Sequence, residues 1–210
     1  IHLLKYISKK KISIVMLSTG LANLSEIKEA INIFKKNINI KIVLMKCNSA
    51  YPAILKDMNL KTIGTYKKKF NVIPGLSDHS LDSLAPVVAV SYGAKVIEKH
   101  FSLSKKSIDG FFSLNKNEFK RMVSQIREVE ALIGNTSYEI SKDSKKNLFA
   151  KRSLYIVKDI GINEKFNLSN VKSIRPAHGI SSRYLEKIIG KKSNKNLKAG
   201  SRMSLKYLIK

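Results

Sequence analysis

The chain has 210 residues, 43% of them hydrophobic, enough to build one large domain or two smaller ones with a proper core, which excludes a disordered protein. Lys and Arg number 40 against 15 Asp and Glu, a formal charge of +25, but only six of the basic residues are Arg. The lysines are spread along the chain among abundant Ile and Asn and form no run interleaved with aromatics, which points to AT-rich coding and away from a nucleic-acid partner. One cysteine, Cys47, excludes a disulfide framework and a multi-cysteine zinc site and fits a reducing, cytoplasmic compartment.

The chain opens on Ile1 inside a helix-like pattern (Leu3, Leu4, Ile7), so a portion upstream is expected. From there short β-branched runs alternate with longer amphipathic stretches. Lys11 to Leu17 reads as a buried strand, and Asn23 with Glu26 three residues later is a capping box opening a helix to about Lys36. Ile40 to Lys46 is the second strand, followed by a loop through Tyr51 and Pro52 and a helix over 59–70. Asn71 to Leu76 is the third strand, a helix over 82–92 stops at Gly93, and Ala94 to Glu98 is the fourth strand. Asn115 and Glu118 form a second capping box for a helix running to Ile133 and ending at Gly134. Residues 135–147 are polar and aperiodic, an interdomain linker. The last segment, 148–210, shows a short strand at 153–157, a turn at 158–161 and a short helix near 184–189, a small domain only marginally stable alone. No apolar stretch approaches the roughly 20 residues that cross a bilayer, so no membrane partner is expected.

Four consecutive βα units predict an α/β domain with a parallel sheet covered by helices, either doubly wound or half of a (β/α)8 barrel. In such sheets ligands bind at the carboxyl ends of the strands. Four polar clusters fall there: Ser18-Thr19-Gly20, Asn48-Ser49-Ala50-Tyr51, Ser77-Asp78-His79 and Glu98-Lys99-His100. His79 and His100 end adjacent strands, whose axes lie about 4.8 Å apart. They are candidates to share a divalent metal, or else two loop histidines bonded to backbone. Two imidazoles with oxygen ligands suit Mn, Fe or Zn over calcium. Ser18, Ser49 and Ser77 offer hydroxyls near expected helix starts, either for an anion or as plain helix caps. Cys47 has no histidine beside it in sequence and reads as core packing.

These same residues resemble the sialic acid synthase family, the enzymes that condense phosphoenolpyruvate with amino sugars to make nine-carbon sugar acids. KCNSAYPA (46–53), GLSDHS (75–80) and IEKHF (97–101) occur in the family's order and spacing, and the wording is most similar to the branch that makes pseudaminic acid. Residues 152–155, 173–176 and 188–191 are similar to the family's C-terminal antifreeze-like (SAF) domain. The resemblance implies residues 1–134 as the C-terminal half of a TIM (β/α)8 barrel and 148–210 as a small α+β SAF domain. It also implies a domain-swapped homodimer in which one subunit's cap covers its partner's barrel. It places metal-binding and catalytic roles on His79 and His100, with Mn²⁺ or Mg²⁺ as the cofactor. It puts phosphoenolpyruvate on Ser18, Ser49 and Ser77, and the amino sugar, a 2,4-diacetamido-2,4,6-trideoxyhexose, on Tyr51, Asp109 and Arg175. Neuraminic and legionaminic acid synthesis are the alternatives within the family, and a non-catalytic dimerising fragment or sugar-binding module is the alternative outside it. Asn48 departs from the family's usual threonine, and Lys105 to Ile108 stand where the family has a glycine-rich lead-in to Asp109.

Overall fold

The β-branched runs pair as a four-stranded parallel sheet in the order β1-β2-β3-β4, with β1 Ile14–Ser18, β2 Lys41–Cys47, β3 Ile73–Asp78 and β4 Val96–Lys99. The computed structural model describes residues 1–209 and divides into two units, Ile1–Asn135 and Thr136–Lys210. In the first, α1 (His2–Ser8), α2 (Leu24–Lys35), α3 (Ile63–Phe70), α4 (Leu84–Ser91) and α5 (Lys116–Ile133) alternate with the strands to make a half-barrel.

Local chemistry sets the helix ends. Asn23 accepts from the N–H groups of Ser25 and Glu26 while Glu26 accepts from the Asn23 N–H at 2.8 Å, and Asn115 with Glu118 repeats this box for α5. Both boxes satisfy amides that the first helical turn leaves free. The helix expected over 59–70 starts later: Asn59 takes a left-handed conformation (φ +47°), a 3-10 turn covers Leu60–Thr62, and α3 begins at Ile63. Asn is one of the few residues that tolerates that region, and Asn71 does so again (φ +53°) to close α3.

The helices pack on one face of the sheet. Val15, Leu17, Ile42 and Leu44 meet Ile31 and Phe34 of α2 and Tyr66 and Phe70 of α3. Leu76 and Ile97 meet Ala85 and Ala89 of α4, and Val90 meets Met122 and Ile126 of α5. Fully burying each large apolar side chain is worth about 1.5–3 kcal/mol. On the other face of edge strand β1, Ile14 and Met16 remain 54% and 55% exposed. The strands run one or two residues past their expected ends, to Ser18, Cys47, Asp78 and Lys99. The polar residues there stay in the ladder, and at β3 and β4 they pair with one another.

The second unit is a small α+β fold. One-turn helix α6 (Lys142–Lys145), capped by Ser141, lies within the stretch expected to be a plain linker. Strands β5 (Ser153–Ile156) and β6 (Val171–Ile174) pair antiparallel, and one-turn helix α7 (Leu185–Ile188) follows a 3-10 turn at Ser182–Tyr184. Strand β6, VKSI, is not among the strands expected from the sequence. The core is Leu154, Ile156, Ile160, Phe166, Val171, Ile188, Leu197 and Met203.

Candidate active site

The parallel register opposes Ser77 to Glu98 and Asp78 to Lys99, so the next residues on both strands are histidines. His79 and His100 emerge side by side, with ring centroids 5.2 Å apart and planes at 66°. The two-residue period of a strand sends Ser77 and Glu98 to one face and Asp78 and Lys99 to the other. The first pair is joined by a hydrogen bond from the Ser77 hydroxyl to Glu98 Oε1 at 2.6 Å. The second is a buried ion pair, Lys99 Nζ to Asp78 Oδ2 at 2.6 Å.

The two imidazoles differ in what meets Nδ1: a hydrogen-bonding carbonyl at His79 and a nearby carboxylate at His100. His79 Nδ1 lies 2.8 Å from the Asn48 carbonyl, which can only accept, so the neutral ring carries its proton there and leaves the Nε2 lone pair free. His100 Nδ1 lies 3.4 Å from Asp109 Oδ2. An imidazole that donates one ring N–H to a carbonyl or carboxylate and presents its other nitrogen is the usual form of a metal-ligating histidine. Among the described residues no group of three or more His, Cys, Asp and Glu side chains is arranged to hold a metal. The pair itself brings two imidazoles together.

Aromatic side chains wall this pair. Tyr51 stacks at 4.2 Å from His79 and 6.0 Å from His100, and Phe112 lies 4.9 Å from His100 and 5.5 Å from Tyr51. Phe112 and Asp109 arrive on the loop after β4, which folds back through mutual backbone bonds of residues 100, 102 and 114. A Cβ at Gly110 would sit 2.6 Å from the Lys105 carbonyl, so only glycine lets this loop close. Asp109, assigned to sugar by resemblance, is thus found against His100.

At the other end of the sheet, Ser18 ends β1, and Thr19 donates to the Met45 carbonyl at 3.0 Å. The Thr19 hydroxyl also lies 3.4 Å from that of Tyr66, whose phenol is pushed above its ordinary value by burial, partly offset by that contact. A Cβ at Gly20 would collide with the Ser49 hydroxyl and lie 3.1 Å from Cys47 Sγ, so Gly20 brings the first two polar clusters together. Ser18, Ser49 and Ser77 cap no helix: the side-chain caps are Asn23, Asn115, Ser141 and, for a 3-10 turn, Ser204. The serines also stand six or more residues before the next helix, so the expected help from helix N-termini is corrected to strand-end hydroxyls alone. Arg175 is exposed, just after β6 in the second unit.

Sequence reasoning put four further groups in the strand-end clusters but gave them no individual role or partner: Glu98, Asn48 through its carbonyl, and the Asp78–Lys99 pair. The signal was available in the period-two alternation of SDH and EKH, once the two strands are set in register. It also left Cys47 without a histidine, whereas His79, 32 residues away, places Nδ1 4.0 Å from the Cys47 sulfur. That nitrogen is already committed to Asn48, so the thiol stays a packing group.

Comparison with known proteins bears on the whole chain. The NeuB family model matches residues 1–138 and the SAF domain model residues 151–201. Pseudaminic acid synthase of Campylobacter jejuni is 44% identical over 201 residues, covering 95% of this chain and 58% of that protein. N,N'-diacetyllegionaminic acid synthase of the same species is 40% identical over 189 residues, covering 88% of this chain and 57% of that protein. The crystal structure of N-acetylneuraminic acid synthetase from Leptospira borgpetersenii superposes with a TM-score of 0.63 at 32% identity, over 70% of this chain and 52% of that one. The chain thus spans less than two thirds of the length of these relatives.

Proposed function

This chain belongs to the NeuB family, and from that premise we propose that it serves the condensation of phosphoenolpyruvate with an N-acetylated amino sugar, a 2,4-diacetamido-2,4,6-trideoxyhexose, to a nine-carbon sugar acid of the pseudaminic type and phosphate. The observation that supports this reading is the His79–His100 pair, rings 5.2 Å apart at the carboxyl ends of a half-barrel, with His79 Nδ1 bonded to the Asn48 carbonyl and the Asp109 carboxylate beside His100 Nδ1. The legionaminic alternative stands beside it because a relative of that name is 40% identical.

In the proposed reaction the enol carbon C3 of phosphoenolpyruvate forms a bond to the sugar aldehyde carbon, whose oxygen takes a proton and becomes a hydroxyl. Water adds to C2, and phosphate leaves with C–O cleavage, so that the new acid carries a keto group at C2. A divalent ion, Mn²⁺ or Mg²⁺, held by His79 and His100, supplies Lewis-acid polarisation of the aldehyde oxygen when bound. Asn48 orients the His79 ring through Nδ1, and the Asp109 carboxylate lies beside Nδ1 of His100. Ser18, Ser49 and Ser77 offer hydroxyls to phosphate and carboxylate; Ser77 must give up its bond to Glu98 to do so. Tyr51 and Phe112 provide an apolar wall for a deoxy, N-acetylated sugar and exclude water from one side of it. Arg175, contributed by the SAF unit of a domain-swapped partner, would bind sugar hydroxyl or amide groups. The compartment proposed is the cytoplasm.

The test is phosphate release from phosphoenolpyruvate with Mn²⁺, by the intact protein offered the trideoxy sugar, its legionaminic-type isomer and N-acetylmannosamine. Release with the first sugar alone is expected. Release with only another sugar moves the assignment to the sibling reaction, and a folded, metal-loaded protein silent with all three overturns the reading.

A further inference from the structure

We propose that the buried Asp78–Lys99 ion pair is a positioning device that fixes the separation and direction of His79 and His100; this rests on the metal reading above. Asp78 and Lys99 immediately precede the two histidines, and their side chains are 0% exposed with Nζ 2.6 Å from Oδ2. The pair also grips the residue after His79. Asp78 Oδ1 accepts the Ser80 N–H at 3.0 Å, Oδ2 accepts the Ser80 hydroxyl at 2.9 Å, and Lys99 Nζ donates to the Ser80 carbonyl. His79 is therefore held on both sides, and its own carbonyl accepts the Ala53 N–H at 2.9 Å. Among the described residues no buried side-chain nitrogen or oxygen lacks a partner, so this network is complete.

Stability does not account for such a pair. Taking two charges out of water offsets most of their attraction, and an apolar pair of similar size is often as stable or more so. Register does account for it. A one-residue slip of β4 against β3 would turn His100 to the helix-covered face, because side chains alternate with period two. The same slip would carry Lys99 to the opposite face and leave the Asp78 carboxylate buried without its partner. The ion pair thus penalises the misregistered sheet far more than it favours the correct one. Metal ligands need their positions held within about 0.5 Å, and β4, which carries His100, is only four residues long.

The test compares the intact protein with Asp78→Asn/Lys99→Met, which removes both charges, keeps the volumes close and retains an acceptor for the Ser80 N–H. Mn²⁺ affinity is measured by loss of the free-ion EPR signal, and folding by thermal unfolding and circular dichroism. The expected result is a melting temperature near that of the unaltered protein with Mn²⁺ bound roughly 10- to 100-fold more weakly, the effect of losing an outer partner of a metal ligand. Lys99→Met alone, which strands a buried carboxylate, is expected to melt far lower. A folded double variant with unchanged Mn²⁺ affinity overturns the proposal and leaves the metal reading standing. A double variant that unfolds overturns it too, since the pair is then a stabilising element. Absence of Mn²⁺ binding by the unaltered protein, or binding indifferent to His79→Ala, overturns the metal reading and this proposal with it.

Discussion

The two ends of the same sheet are built differently. Where β3 and β4 finish, each polar side chain has a polar neighbour: Ser77 has Glu98, Asp78 has Lys99, His79 has the Asn48 carbonyl from the loop after β2, and His100 has Asp109. Where β1 finishes, Thr19 and Gly20 anchor the turn, but Ser18 is exposed and Ile14 and Met16 lie about half open on the sheet's edge. The difference is between a preorganised site and a scaffold for one. The histidine end has its geometry set before any ligand arrives, which is what differential binding of a charged transition state requires. The serine end offers hydroxyls whose directions are not yet specified by partners within this unit.

The sharpest way to break that comparison is at the histidines. His79→Ala and His100→Ala are each expected to abolish Mn²⁺-dependent phosphate release while leaving the circular dichroism spectrum unchanged, because both rings lie at strand ends outside the main hydrophobic clusters. Ser18→Ala should instead raise the KM for phosphoenolpyruvate with a smaller change in kcat. Activity retained in either histidine variant would place the chemistry elsewhere.

A smaller effect tests whether the serine end has any fixed geometry of its own. Gly20→Ala drives a Cβ into the Ser49 hydroxyl. Overpacking of that kind costs about 1–3 kcal/mol, and urea denaturation is expected to register it alongside weaker phosphoenolpyruvate binding. A variant as stable as the unaltered protein, with the same KM, would show that the two clusters move independently and that only the histidine end is built.

Much of this arrangement was legible in the sequence, and the exceptions have physical reasons. Four strands, both capping boxes and the convergence of four polar clusters follow from hydrophobic period and turn chemistry, which are local. What stayed hidden depends on register. The neighbours Ser77 and Glu98, Asp78 and Lys99, and Cys47 and His79 are 21 to 32 residues apart, and nothing in either segment alone announces its partner. The Asp109 carboxylate, 55% exposed, comes to lie beside His100 only because the loop after β4 folds back, which no local pattern announces.

The smallest effect concerns the loop that delivers Asp109 and Phe112 to the built end. This loop is tied to α5 at Lys105, which donates to the Ser113 carbonyl at 2.6 Å and to Glu118 at 3.1 Å, while Glu118 also accepts the Asn115 N–H at 2.8 Å. Asn115→Ala removes the cap and is expected to lower stability by about 1 kcal/mol, read by urea denaturation at pH 7. The Glu118 carboxyl is held below its ordinary value of 4.5, first by the Asn115 backbone N–H and then by Lys105. A carboxyl whose folded value is depressed contributes its stability above the ordinary value and loses it as pH falls through the depressed one. Acid should therefore loosen the loop in the unaltered protein, and Glu118→Gln should flatten that part of the stability profile below pH 4.5. An unaltered acid limb in Glu118→Gln would mean that the loop is held by Asp109 and Phe112 at the histidines, so that the built end organises its own wall.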